Sequence, residues 1–261
     1  MGLRVKRQRV FVLLAFLSIV VGSVSSEIAY EPFDETKYGS DYAVSKCEIH
    51  HGKAVIRITQ VKAKTPSPKT PHCCRAWLTI ERNGKTLFQR YYGDIEPVGG
   101  SYGLFIPQNQ PPSPYFAIVK HGDYDGRLFL VHKSGEVHDL KGGSYFVTTD
   151  KRYLFSEYVS DLSGLEVFDL RTGKTVFTSG EDFPYIYGWY EIHGEYFFLE
   201  SDSLRKKALE AYFIDPAKGQ MTKQTLTAEE LSVAKKIDYD FDAKSLPDCD
   251  CSDDPGEGTG K

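Results

Sequence analysis

Four times along this chain a short strand-like segment runs into a glycine-bearing turn and a second segment returns. The segments are residues 78–88 (LTIERNGKTLF), 127–140 (RLFLVHKSGEVHDL), 165–176 (LEVFDLRTGKTV) and 211–222 (AYFIDPAKGQMT). Their turn glycines, Gly84, Gly135, Gly173 and Gly219, are spaced by 51, 38 and 46 residues. A tight hairpin needs a residue at φ > 0, and glycine supplies one without a steric penalty. Asn83-Gly84 is the strongest of the four signals. A chain built this way is committed to antiparallel pairing between neighbours in sequence.

The first strand is expected at 53–64, and further strands between the hairpins, at 101–106, 114–120, 144–148, 152–158, 186–192 and 195–200. Two or more extra strands per hairpin at a period of roughly 45 is the pattern of a propeller blade. Residues 168–174 (FDLRTGK), 131–136 (VHKSGE) and 214–219 (IDPAKG) resemble the outer hairpins of quinoprotein-type and WD40-like blades. The resemblance spans about 74–226 and implies an all-β, antiparallel propeller of about four to five blades. No Trp-Asp closes these blades and no Gly-His opens them, and quinone-binding residues are not identifiable, so the resemblance carries over no site and no cofactor. A sandwich of two twisted antiparallel sheets is the alternative built from the same hairpins.

The ends read differently. Residues 1–9 carry Arg4, Lys6, Arg7 and Arg9 without an acid, and 10–21 (VFVLLAFLSIVV) is unbroken apolar sequence before small residues up to Ser26. That is the pattern of a secretory signal peptide over 1–26, the apolar run being shorter than the ~20 residues of a membrane span. Its removal would take the formal net charge from −4 to −8. Nucleic acid is then a poor partner, since phosphate binding wants clustered Lys and Arg. An N-terminal arm is expected over 27–45, the propeller-like domain over 46–246 and a disordered acidic tail over 247–261. A periplasmic or secreted location follows, with no membrane span once the signal is gone. One short C-terminal helix is expected over 227–236, opened by a Thr227/Glu230 capping box and closed by Lys235 and Lys236.

Three groups of residues point toward chemistry. In an exported chain the five cysteines, Cys47, Cys73, Cys74, Cys249 and Cys251, are disulfide candidates first. With His50, His51 and His72 nearby in sequence, they also suggest a metal-handling or redox accessory protein, although no Cys-x-x-Cys spacing is present. Asp238, Asp240 and Asp242 follow the helix like the first ligands of an EF-hand loop. However, Ala243 stands where the loop needs Gly, and Cys249 where it needs Glu. The alternation Ile237, Tyr239, Phe241, Ala243 reads more simply as a strand.

The third group is the aromatic stretch 183–198. Tyr185, Tyr187 and Trp189 alternate onto one strand face, a surface for stacking a sugar or peptide, with Glu191 and His193 as the nearest polar groups. Core packing between sheets is the competing use of such residues. No nucleophile elbow, zinc-protease helix, phosphate loop or dinucleotide fingerprint occurs. The sequence therefore points to a non-enzymatic binding or scaffold protein with no cofactor, and a protein or saccharide partner.

Overall fold

The computed structural model describes residues 32–64, 74–95, 103–121, 126–158, 164–180, 183–200 and 209–237. Strands β1 (Tyr42–His51), β2 (Ala54–Ala63), β3 (Cys74–Arg82) and β4 (Lys85–Ile95) form the first sheet in sequence order. The second sheet holds β5 (Gly103–Phe105), β6 (Tyr115–His121), β7 (Arg127–His132) and β8 (Val137–Lys141). The third holds β9 (Ser144–Val147), β10 (Tyr153–Tyr158), β11 (Gly164–Asp169) and β12 (Lys174–Thr178). The fourth holds β13 (Ile186–Ile192), β14 (Glu195–Glu200), β15 (Leu209–Asp215) and β16 (Gln220–Leu226), with β17 (Lys235–Ile237) added beside β13. Every pairing is antiparallel. Four successive four-stranded meanders make a propeller-type repeat, and the two-sheet sandwich is excluded.

The hairpin glycines sit where the turn chemistry requires them. Asn83 (φ 53°) and Gly84 (φ 74°) occupy the two central positions of the β3–β4 turn, both left-handed. Leu165, Val167 and Phe168 of β11 are buried, whereas the returning β12 is half-buried or exposed. Each blade thus runs from a packed interior to a wetter outer strand.

Packing follows from alternation on sheets that are covered on both sides. In β7, Phe129 and Val131 join Ile56, Ile58, Leu78 and Ile80 of the first sheet, while Leu128 and Leu130 face Leu154 and Phe168 of the third. The third sheet repeats this, with Phe155, Leu165 and Val167 against Trp189 and Phe198 of the fourth. Phe197, Leu199 and Ala211 on the far face of the fourth sheet pack with Leu231 of α1 (Ala228–Val233). Gln60 ties the first two sheets, donating to the Leu104 carbonyl at 2.9 Å and accepting from its N–H at 2.8 Å. That pair satisfies the backbone of β5, which a buried position demands.

Three expectations need correction. Residues 42–45, expected to end the N-terminal arm, instead open a ten-residue strand, β1, over 42–51, and the first strand is therefore not 53–64. Its alternation is blurred because β1 lies at a sheet edge and no residue of it is fully buried. Residues 32–41 carry a 3₁₀ turn, Glu35–Lys37, and an aromatic cover in which Phe33 meets Trp77 at 5.1 Å. The capping box at Thr227 and Glu230 is present with both bonds, but α1 stops at Val233. Lys235 and Lys236 belong to β17, paired with Glu191 and Tyr190, because an open edge of β13 competes for that backbone. The 1–26 segment, Asp238 onward and the acidic tail lie outside the described residues.

Gly142 marks where the second sheet's chain end meets the third. It has φ +126°, and a Cβ there would fall 2.4 Å from Ser156 Oγ and 2.6 Å from the Glu157 carbonyl oxygen. Gly142→Ala is expected to cost about 2–4 kcal/mol from backbone strain plus the clash. Gly39→Ala, with open space at its Cβ, should stay within about 0.5 kcal/mol. Urea denaturation of both variants checks the pair.

Candidate functional site

The β9–β10 turn, the β13–β14 hairpin end and the β15–β16 turn come together at one end of the third and fourth sheets. Between them lies a cleft of about 740 Å³, within the range of small-ligand sites. A shallower recess of about 390 Å³ lies by Arg82, Leu87 and Gly135.

The cleft is built by side chains that hold loops. Thr148 Oγ1 donates to Asp150 Oδ1 at 2.6 Å, and the Arg152 N–H donates to the same oxygen at 3.0 Å, closing the β9–β10 turn. Lys151 lies between them at φ 58°. From this turn the Thr149 N–H donates to Tyr196 Oη at 2.8 Å, and Thr149 Oγ1 donates to Glu191 Oε2 at 2.9 Å. These two bonds lock the third sheet to the β13–β14 hairpin, whose tip is His193-Gly194 with φ 51° and 82°. At the β15–β16 turn Lys218 Nζ donates to Asp215 Oδ2 at 2.7 Å, and the Lys218 N–H donates to Asp215 Oδ1 at 3.1 Å.

Charge and polarity in the cleft are uneven. Asp150, Glu191, Glu195 and Asp215 contribute four carboxylates to the lining, against the single cation Lys218. Lys218 holds the Asp215 carboxyl below its ordinary range and is itself raised by it. Apolar surface comes from Tyr153, Tyr196 and Ile214, which belong to the core cluster between the two sheets. Tyr153 is 7% exposed, and its hydroxyl has no hydrogen-bond partner among the described residues. Burial raises its pKa. Arg152 stacks over the Tyr153 ring at 4.6 Å, while its Nη2 lies 3.4 Å from Asp169.

The sequence-derived aromatic surface divides into separate environments. Tyr185 and Tyr187 are 51% and 56% exposed, but Trp189 is 1% exposed and does not share their surface. A register shift between Ile186 and Gly188 breaks the alternation on which a common face depended. Trp189 instead packs against Phe146, Phe155 and Phe198 at 5.2–5.3 Å, and its indole N–H donates to Glu157 Oε2 at 3.1 Å. Glu191 lines the cleft, and His193 is a turn residue beside the cleft-lining Gly194. Thr149, Asp150, Tyr153, Tyr196 and Asp215 carried no functional signal in sequence; the Asp215-Pro216 turn was legible only as a turn.

Of the residues suggested for metal, His50 Nε2 lies 3.0 Å from Glu48, and His51 Nε2 lies 2.9 Å from the Pro114 carbonyl. Among the described residues no group of three or more His, Cys, Asp or Glu is placed to hold a metal ion. The side chains of Cys73, Cys74, Cys249 and Cys251, and His72, lie outside the described residues.

No protein-family model and no curated protein matches the chain. Solved structures that overlap it include the β-propeller domain of the Trilobed protease from Pyrococcus furiosus, at TM-score 0.34 and 9% identity, covering 77% of this chain and 59% of that one. A putative 6-phosphogluconolactonase from Bacteroides fragilis overlaps at TM-score 0.28 and 10% identity, covering 74% and 84%. A protein of unknown function from Bacteroides thetaiotaomicron does so at 0.30 and 14%, covering 75% and 56%. This chain spans about three fifths of the first of them. The propeller-type description rests on the four sheets and their order, not on these overlaps.

The Asp215–Lys218 pair predicts a titration. A carboxyl lowered by folding adds stability above its unfolded pKa near ~3.9, and that contribution is lost as pH falls through the folded value. In Lys218→Ala the Asp215 carboxyl is expected to titrate higher than in the parent, read by carbon NMR of the side-chain carboxyls. An unchanged Asp215 titration would show that the bond is not formed in solution.

Proposed function

We propose that the chain is an exported, non-enzymatic binding protein whose propeller-type stack presents the cleft between its third and fourth sheets to a ligand. The observation that carries this reading is the cleft itself, where three separate turns converge on buried aromatic surface rimmed by carboxylates. Binding is favoured over turnover because the groups at its mouth are engaged in holding loops. Thr149 is committed to Glu191, and Asp150 to Thr148 and Arg152.

Export is supported by the basic, apolar and small-residue order of 1–26. No helix among the described residues is long and apolar enough to cross a membrane. Disulfide chemistry is supported by Cys47 of β1, one of five cysteines in a chain read as exported. Strand register narrows its partner. Cys47 sits opposite Ile58, and Cys74 opposite Lys62, so two strand spacings and four residues separate them. That is about 16 Å between Cα atoms, beyond the ~7 Å reach of a disulfide.

Two measurements test the proposal. N-terminal sequencing and non-reducing peptide mapping of the exported protein are expected to find a start near Glu27 and Cys47 in a disulfide-linked peptide. Retention of residues 1–26, or a free Cys47, would count against export into an oxidising compartment. For the cleft, Thr222→Trp introduces bulk from the exposed strand β16, which tolerates aromatics. Compounds that raise the melting temperature of the parent should fail to raise that of T222W. Equal shifts in both proteins would place binding elsewhere.

A further inference from the structure

Two histidines stand where the second sheet meets both of its neighbours. His132 closes β7 and His138 lies on β8, and the Tyr115 ring of β6 sits 5.3 Å from the first and 6.0 Å from the second. Phe168 of the third sheet completes the group, 4.7 Å from His138 and 5.6 Å from Tyr115. The contact between these two sheets thus contains two titratable rings.

Hydrogen bonding fixes the state of His132. Its Nδ1 accepts the Ser134 N–H at 3.1 Å and lies 2.7 Å from Ser134 Oγ. A backbone N–H can only donate, so Nδ1 carries no proton and the ring is neutral, with its hydrogen on Nε2. This bond shapes the β7–β8 turn, which in turn is tied to the first sheet. Arg82 Nη1 donates to the Ser134 carbonyl at 3.1 Å, and the Lys53 N–H donates to the Lys133 carbonyl at 2.8 Å. Leu87 packs so closely on Gly135 that a Cβ there would fall 2.5 Å from its Cδ1. A proton on Nδ1 would set a donor against a donor, and the Ser134 N–H bond would be lost.

The surroundings compensate a charge on either ring poorly. On their own hairpin, Glu136 comes within 3.7 Å of His138 Nε2, but its side chain is 66% exposed. From β6 there is only the Tyr115 phenol. From the third sheet the charge of Asp169 reaches Tyr115, but that carboxylate is engaged by Arg152 and by the N–H groups of Arg171 and Thr172. The first sheet brings a cation, Arg82, and the turn carries another, Lys133. Burial lowers the His138 pKa, Glu136 opposes this only in part, and charge on His132 lowers it further.

We infer that the β7–β8 turn is a proton-operated latch. Neutral His132 and His138 hold the second sheet to the first and the third, and their protonation releases the turn. The sign follows from His138. The unfolded chain takes up its proton first, near the ordinary value of ~6.5, so stability is full above that pH. It falls as pH drops from there through the lower folded value. The latch does not depend on the cleft.

The test is NMR of the full mature chain between about pH 7.5 and about pH 5, the range in which histidine charges. The Ser134 amide is expected to shift together with the His132 ring. Its hydrogen exchange, corrected for the intrinsic rate, should rise about tenfold, as for one lost hydrogen bond. The variants are His132→Asn, which keeps an oxygen acceptor for the Ser134 N–H, and His138→Phe, which keeps a ring against Phe168. Neither replacement titrates. In H132N/H138F the acid-induced fall in melting temperature should be about half that of the parent.

Equal falls in the parent and the double variant would overturn the latch. So would a Ser134 amide that stays unchanged while His132 titrates, or exchange that rises alike in all four sheets. Should the double variant not fold, the parent's Ser134 amide decides alone.

Discussion

Burial of the second and third sheets on both faces is the constraint on which the rest of the structure depends. Each fully buried Leu, Ile or Phe contributes about 1.5–3 kcal/mol, and these two sheets place such residues on successive positions of single strands. Phe129 and Val131 go one way, Leu128 and Leu130 the other. Every neighbouring sheet is thus held by a face that has no other use. Two of the polar contacts inside are specific: Gln60 satisfies both backbone groups of Leu104, and Glu157 receives the Trp189 indole.

The cleft is a consequence of that stacking. Sheets packed face to face present their turns side by side, and where those turns end above the last buried layer they enclose space. Trp189 and Glu191 are two residues apart on β13, one deep in the core and the other in the cleft lining. The same strand carries packing energy at its middle and recognition at its end. The bonds from Thr149 to Tyr196 and Glu191 make the wall rigid across a sheet boundary, which is the kind of support a preorganised site requires.

Much of the architecture was legible in advance. Strands at 186–192 and 195–200 and turns at Gly84, Gly135, Gly173 and Gly219 are where alternation and turn chemistry place them. Edges were not legible. β1 was missed because an edge strand with no fully buried residue has weak alternation, and β17 was absorbed into the helix because Lys235 and Lys236 suit a helix end as well as an exposed strand. Of the aromatic face, Glu191 alone lines the cleft, since a bulge at Tyr187 cannot be read from residue types.

By itself the sequence determined that this chain pairs neighbour to neighbour in antiparallel hairpins, because turn geometry and period-two burial are local properties. It also determined the composition that tertiary structure would have to sort, rich in Tyr and Phe and poor in clustered cations. Only the tertiary structure decided which layer each face would meet, and hence that Trp189 belongs to the core. It alone brought Asp150, Tyr153, Glu191 and Asp215 around one space. Those residues come from three turns separated by whole strands, and their meeting depends on how twisted sheets stack, a long-range packing outcome that no local pattern encodes.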